Sequence, residues 1–173
     1  MGWWNKIRDS AKAGIVSGLS KEDRNNFGVF PLKGKLMNTL DAAQYKINAN
    51  AEITNIKKIL GLTTGKTYTK EEAKKLLRYG KLLFMTDQDL DGSHIKGLCI
   101  NMFHSQWRDL IKLPNFLGFM NTPILKATKG KKAKSFYSES AYQVWKKANN
   151  DAKGWKVKYY KGLGTSTAKE FKE

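Results

Sequence analysis

The spacing of apolar residues along the chain switches between a helical and a strand period, and each switch marks an element. After Asp9 and Ser10, either of which can cap a first turn, Ile15 and Val16 belong to a helical stretch that Gly18 stops. Residues 21–26 are a polar linker. Residues 28–38 mix apolar side chains with Lys33 and Lys35, and Pro31 and Gly34 keep them out of a regular helix. Helices are predicted over residues 41–47 and 51–60; Ile53, Ile56 and Leu60 form the buried stripe of the second, which Gly61 ends. Thr69 and Glu72 have the spacing of a capping box, opening a helix through Ala73, Leu76 and Leu77 that stops at Gly80.

The short apolar run Leu82-Leu83-Phe84-Met85 then predicts an interior strand covered on both faces, as parallel strands are. From Ile95 through Leu98, Cys99, Met102, Phe103 and Trp107 to Leu110, apolar residues recur at three- and four-residue steps. They predict one long helix that starts within a residue or two of Asp91 and that Ser93 could cap. Strands follow over residues 116–120 and 124–128, and Lys129-Gly130-Lys131-Lys132 turns the chain back into Ser135-Phe136-Tyr137 as a basic hairpin tip. Ser138 and Glu139 open a short helix that uses Tyr142, Val144 and Trp145; residues 155–161 alternate as a strand, and a glycine turn over 162–167 leads into a final helix. No repeat or low-complexity tract interrupts the pattern. A strand, a loop and a helix around residues 82–110 make half of a Rossmann-like βαβ unit, within one main domain with room for a small appendage.

Between the predicted strand and the long helix stand Asp87, Asp89 and Asp91, three acids within five positions of a chain that has only 15 against 32 basic residues. Strand ends of this kind are where open α/β sheets place their ligands. Alternate residues of an extended backbone point the same way, so Asp87 and Asp89 can converge on one point. Carboxylates that close take up protons unless a cation holds them ionised, and an all-oxygen set suits a hard divalent ion, Mg2+ before others. The spacing Asp-x-Asp-x-Asp-Gly also matches the first half of a calcium loop. That loop needs a preceding helix and a glutamate at its twelfth position, where this chain has Leu98. An acidic turn without a ligand is the blander alternative.

Charge enlarges the picture. A net charge of +17 implies a polyanionic partner, nucleic acid ahead of an anionic membrane surface. The irregular basic stretch with Lys33 and Lys35 can follow a phosphate chain, although a plain surface loop would look the same. No segment approaches the roughly 18 continuous apolar residues of a membrane span, and residues 1–4 do not make a signal peptide. Cys99 stands alone on an apolar helical face, which predicts a core thiol and fits a reducing, intracellular compartment.

Several segments taken together resemble a known family. Asp9-Ser10-Ala11-Lys12, Pro31-Leu32-Lys33-Gly34-Lys35-Leu36-Met37-Asn38, Leu77-Arg78-Tyr79-Gly80-Lys81, the run from Met85 through Asp91-Gly92-Ser93-His94 to Leu98, Thr122-Pro123-Ile124 and residues 156–167 are similar, in order, to the TOPRIM region of eukaryotic-type (eukaryotic or viral) type II DNA topoisomerases. The resemblance runs over nearly the whole chain, residues 1–173 forming a TOPRIM domain. It implies an α/β TOPRIM fold, a Rossmann-like parallel sheet flanked by helices, in an ATP-dependent enzyme that cuts one duplex and passes another through it. It further implies Mg2+ held by Asp87 and Asp89 with Asp91 as third member. Lys35 and Asn38 carry over as duplex DNA contacts, with Lys33, His94, Lys96 and Lys161 as further candidates.

Three departures shape the expectation. The family's Glu-Gly-Asp-Ser-Ala reads Ile7-Arg8-Asp9-Ser10-Ala11 here, so the glutamate that serves as metal ligand and acid or base is replaced by Ile7. The first strand is expected to be largely missing. The family's tyrosine nucleophile lies downstream of Glu173, so Tyr159 and Tyr160 are read as structural and no catalytic residue is assigned. These departures predict a fragment or split subunit that is inactive alone and works with other topoisomerase chains carrying the ATPase and the tyrosine, with ATP bound only in that assembly. The alternatives are a truncated DNA-binding remnant and a stand-alone TOPRIM nuclease. Each reading places the chain with DNA, in the nucleus or, for a virus or bacterium, the cytoplasm.

Overall fold

Residues 32–120 form one compact unit, and residues up to Pro31 together with those from Asn121 form another. The computed structural model of the chain describes residues 12–87 and 89–160. Residues 12–18 are helical and the helix ends at Gly18 as predicted; Asp9 and Ser10 lie outside the described residues. The polar linker contains a helical turn, α1 (Asp23–Asn26). Its start is fixed locally: the Ser20 hydroxyl accepts from Asp23 N, and the Asp23 carboxylate accepts from Ser20 N and Oγ. Apolar spacing could not reveal it, because this turn buries none of its residues.

In the unit of residues 32–120, α2 spans Gln44–Ala49, starting later than predicted because Ala43 is still extended (φ −60°, ψ 138°). Helix α3 (Ala51–Leu60) begins where Asn50 accepts from Ile53 N at 3.0 Å and ends at Gly61, which takes the left-handed φ of 78°. Helix α4 (Lys70–Leu76) has the predicted capping box: Thr69 Oγ1 accepts from Glu72 N, and the Glu72 carboxylate accepts from Thr69 N at 3.0 Å. It stops short of Gly80. Leu77 turns extended (φ −85°, ψ 141°) and buries its own side chain, which leaves Leu76 exposed instead of in the core.

Strand β1 (Leu82–Thr86), helix α5 (Leu90–Gln106), helix α6 (Arg108–Lys112) and strand β2 (Leu117–Asn121) complete the unit. The two strands pair in parallel, with Leu82 N donating to the Phe116 carbonyl at 2.7 Å just before β2, so α5 is the crossover of a βαβ unit. The expectation that β1 is covered on both faces is corrected. Phe84 and Thr86 are buried, but Leu83 on the opposite face is 45% exposed.

The single long helix is corrected too. Trp107 leaves helical geometry (φ −147°, ψ 61°), and its indole N–H reaches the Thr63 carbonyl at 2.9 Å while its ring packs on Phe103, so the chain breaks there and restarts as α6. Phe103, fully buried, also meets Phe84 and Phe116 edge-on and so ties β1, α5 and the approach to β2 together. Cys99 is core as predicted, and burial pushes its thiol up to about 12, which keeps it protonated and inert.

Beyond residue 120, strands β3 (Leu125–Lys129) and β4 (Lys132–Phe136) form the predicted hairpin, followed by α7 (Glu139–Ala148) and β5 (Lys156–Tyr159). The sheet order is β4-β3-β5, antiparallel throughout, with Leu125 opposite both Phe136 and Tyr159. Ser138 caps α7 by accepting from Ala141 N. Tyr142 and Trp145 close over Phe136, whereas Val144, predicted to pack, points away and is 72% exposed. Leu125, Ala127, Phe136, Tyr142 and Trp145 thus form a second hydrophobic cluster in addition to that of residues 32–120, where the sequence suggested one core with an appendage. The predicted glycine turn and final helix lie outside the described residues.

Candidate metal and nucleic-acid site

At the end of β1 the chain passes through Asp87 and enters α5 three residues later, at Leu90. Asp89 is extended (φ −132°, ψ −178°) and is the N-cap of α5, its Oδ1 accepting from Gly92 N at 2.6 Å. The cap is therefore Asp89 and not Ser93, whose hydroxyl instead donates back to the Asp89 carbonyl. An aspartate here satisfies an orphan amide and meets the positive end of the helix dipole. Gly92 is buried, and a Cβ on it would run into the carbonyl oxygen of Asp87. The Asp-x-Asp-x-Asp-Gly spacing thus has a steric basis: the glycine lets the strand end and the first helical turn close together.

Asp91 projects from the first turn of α5 and pairs with Lys35, Nζ to Oδ1 at 2.8 Å, with both side chains largely in solvent. The Lys35 ammonium, first by its hydrogen bond and then by its charge, holds the Asp91 carboxyl below the usual carboxylate range, and His94 adds a smaller pull. Lys35 reaches this point because its neighbours are anchored. Leu36 and Thr39 are buried, and Thr39 Oγ1 shares a 2.8 Å hydrogen bond with Ser105 of α5. Between them Asn38 Oδ1 accepts from Asn101 Nδ2 at 2.7 Å and from Leu40 N at 3.1 Å. The irregular basic stretch is thereby laid against α5. The amide oxygen of Asn38 is committed, and its N–H groups have no partner among the described residues.

Of the predicted residues, the structure brings together Lys35, Asp91 and His94, and seats Asp87 and Asp89 on either side of the turn into α5. Lys33 is exposed on the same loop, and Lys96 lies half-buried on α5. Lys161 and Ile7 lie outside the described residues. Among the described residues no three His, Cys, Asp or Glu side chains gather as a metal-holding group, and Asp91 is paired with Lys35. The remaining donor set is oxygen only, and Asp89 keeps Oδ2 free of its capping bond, which fits a small hard cation that takes one or two carboxylates and retains water. Sequence reasoning missed the capping role of Asp89, the pairing of Lys35 with Asp91 and the clamp of Asn101 on Asn38. Only the first had a local signal, an aspartate three residues before a glycine at a helix start.

The chain matches the Toprim domain model over residues 6–117 and the C-terminal associated domain of TOPRIM over residues 120–173. It belongs to the Toprim family, in the form carried by eukaryotic type II DNA topoisomerases. It is 55% identical over 165 residues to human DNA topoisomerase 2-beta, matching 95% of this chain and 10% of that protein, and 53% identical to human DNA topoisomerase 2-alpha, matching 11% of it. The DNA-binding, cleavage and re-ligation domain of Plasmodium falciparum topoisomerase II is similar in structure, with a TM-score of 0.83 and 51% identity over 95% of this chain and 22% of that one. The chain therefore spans about a tenth of the length of the curated relatives it matches.

Proposed function

We propose that this chain supplies the Mg2+-binding, DNA-contacting part of a type II topoisomerase, in which one duplex is cut and another passed through it with ATP bound elsewhere in the assembly. The observation that carries the reading is the seating of Asp87 and Asp89 at the end of β1, beside a basic loop anchored to α5. Asp87 and Asp89 would hold Mg2+, which when bound offsets charge on the scissile phosphate and stabilises an oxygen that leaves or attacks. The residues around them position and neutralise. Gly92 sets the closeness of the two backbone segments, Asn101 aims the amide of Asn38 by holding its oxygen, and Lys35 and Lys33 offer cations to the phosphate backbone. Lys35 exchanges Asp91 for a phosphate when DNA arrives, because the Asp91 carboxylate and the phosphate are both anions and repel each other beside one ammonium. A nucleophile and a proton-transfer group come from other parts of the assembly, as does the ATPase, and the protein works where DNA is.

Two measurements test the reading. Duplex DNA should bind with little sequence preference and weaken about tenfold or more between roughly 50 and 200 mM salt. Mg2+ should raise the melting temperature, and Asp87→Asn should abolish that rise. Salt-insensitive binding sinks the DNA contact. An Asp87→Asn variant that keeps the full Mg2+ response removes the metal role of that carboxylate. DNA binding with no response to Mg2+ supports the DNA-binding remnant instead, a reading favoured by the structural duties of Asp89 and Asp91.

A further inference from the structure

In the unit beyond residue 120, residues 121–160 carry ten lysines against two acids, Glu139 and Asp151. Four of those lysines, Lys129, Lys131, Lys132 and Lys153, line one open cleft of about 650 Å³ whose wall includes the indole of Trp155. None of the four has a carboxylate partner among the described residues. Lys129 and Lys132 are directly opposed across the β3–β4 ladder, where like charges destabilise a hairpin unless an anion lies between or above them. The wall is shaped as well as charged. Gly154, next to Trp155, has φ of 79°, a left-handed backbone that glycine adopts without strain, and its open side lies within 3.5 Å of Lys129 Nζ. Trp155 is fixed edge-on against buried Trp145, centroids 5.0 Å apart at 88°.

We infer that this cleft is a second phosphate-backbone site for nucleic acid, in a different unit from the Asp87–Asp89 site. Four cations without carboxylate partners, three of them at the β3–β4 hairpin tip and the fourth, Lys153, beside it in the same cleft, match the closely spaced phosphates of a nucleic-acid backbone, whose charge density exceeds that of an acidic peptide. The inference rests on the reading that DNA is the partner, and the experiment separates the two.

The full chain is lightly acetylated with and without a short fluorescein-labelled duplex, and the modified lysines are read by mass spectrometry. Lys129, Lys131, Lys132 and Lys153 should be protected, while exposed Lys58, Lys70, Lys74 and Lys75 of the other unit should not. Exchanging the four cleft lysines for glutamine should lower the slope of log affinity against log salt by about 3 to 4 and weaken low-salt binding about tenfold or more. Exchanging the four control lysines should change both less. If wild type does not bind the duplex at all, the proposed function fails. If it binds while the cleft lysines stay reactive, or if the control variant loses as much slope, the second site alone is refuted. Polyglutamate that protects the cleft better than DNA of equal charge would overturn the choice of nucleic acid.

Discussion

The two units handle charge in opposite ways. In residues 32–120 polar and charged groups at the site are individually held: Asp89 caps α5, Asp91 pairs with Lys35, and the neutral amide of Asn38 is locked by Asn101. In residues 121–160 the cleft lysines have no carboxylate partner among the described residues, and two of them, Lys129 and Lys132, oppose each other across the hairpin. The first arrangement fixes oxygen positions and suits a small cation, for which geometry decides affinity. The second fixes little beyond the sign of the potential and suits a long polyanion, for which counterion release decides affinity. One family fold can thus present a geometric site and an electrostatic one from separate cores.

The largest effect that can break this comparison comes from the cores. Phe103→Ala removes the ring that joins Phe84, Trp107 and Phe116, and should cost about 3–5 kcal/mol by denaturant unfolding. It should also abolish the Mg2+-dependent rise in melting temperature. Trp145→Ala, a cut of similar size in the other cluster, should leave the Mg2+ response in place while impairing DNA binding. If both variants lose the Mg2+ response equally, the two sites do not rest on separate cores.

Next in size is Gly92→Ala. Helix propensity alone would favour alanine by about 1 kcal/mol. A Cβ there meets the backbone carbonyl of Asp87, which has no flexible end to swing away, so a net loss of about 1–3 kcal/mol is expected. Because β1 and α5 must separate to admit it, Mg2+ binding should also fall although every carboxylate is intact. An unchanged or raised melting temperature would show that Gly92 merely tolerates its surroundings.

These effects show where the sequence was legible. Elements with a local cause could be read: the Thr69–Glu72 capping box, the Lys129–Lys132 hairpin tip, the Ser138 cap and the acidic run after an apolar strand. Features that depend on a distant partner could not. Trp107 breaks a helix that its spacing supports because Thr63 accepts its indole N–H, and Leu77 ends α4 early because the core takes its side chain. Val144 fits the apolar spacing of α7 yet lies outside, since Tyr142 and Trp145 already cover Phe136. The site followed the same rule. Its carboxylates were visible as a motif, but their division of labour was not: the cap of Asp89 needs the true helix start, and the pairing of Asp91 needs the path of a loop far away in sequence.

A smaller effect separates cap from ligand at Asp89. Asp89→Ala loses the bond to Gly92 N and should cost about 1 kcal/mol in the metal-free protein, whereas Asp89→Asn can still accept that bond and should cost much less. Both should weaken Mg2+ binding, read by titration of the melting temperature. If the asparagine variant keeps the full Mg2+ response, the carboxylate serves only the helix.

The smallest expected effect belongs to the Lys35–Asp91 pair, because both side chains are largely in solvent and such pairs are heavily screened. Its sign is nonetheless fixed. Lys35 lowers the Asp91 carboxyl in the folded chain below its unfolded value, so the contribution is fully present above the ordinary carboxylate range and fades as pH falls through the lowered folded value. Asp91→Asn should therefore flatten a part of the acid limb of stability and leave the neutral region nearly unchanged. The same substitution should raise affinity for duplex DNA at low salt by freeing Lys35 for a phosphate, but losing any acid does this to some degree by charge alone. A double-mutant cycle distinguishes the two causes. In a Lys35→Gln background the gain from Asp91→Asn should shrink to the general charge effect, and raising salt should erase the coupling. Equal gains in both backgrounds would mean that Lys35 never exchanges Asp91 for DNA, and that this corner of the geometric site is as diffuse electrostatically as the hairpin cleft.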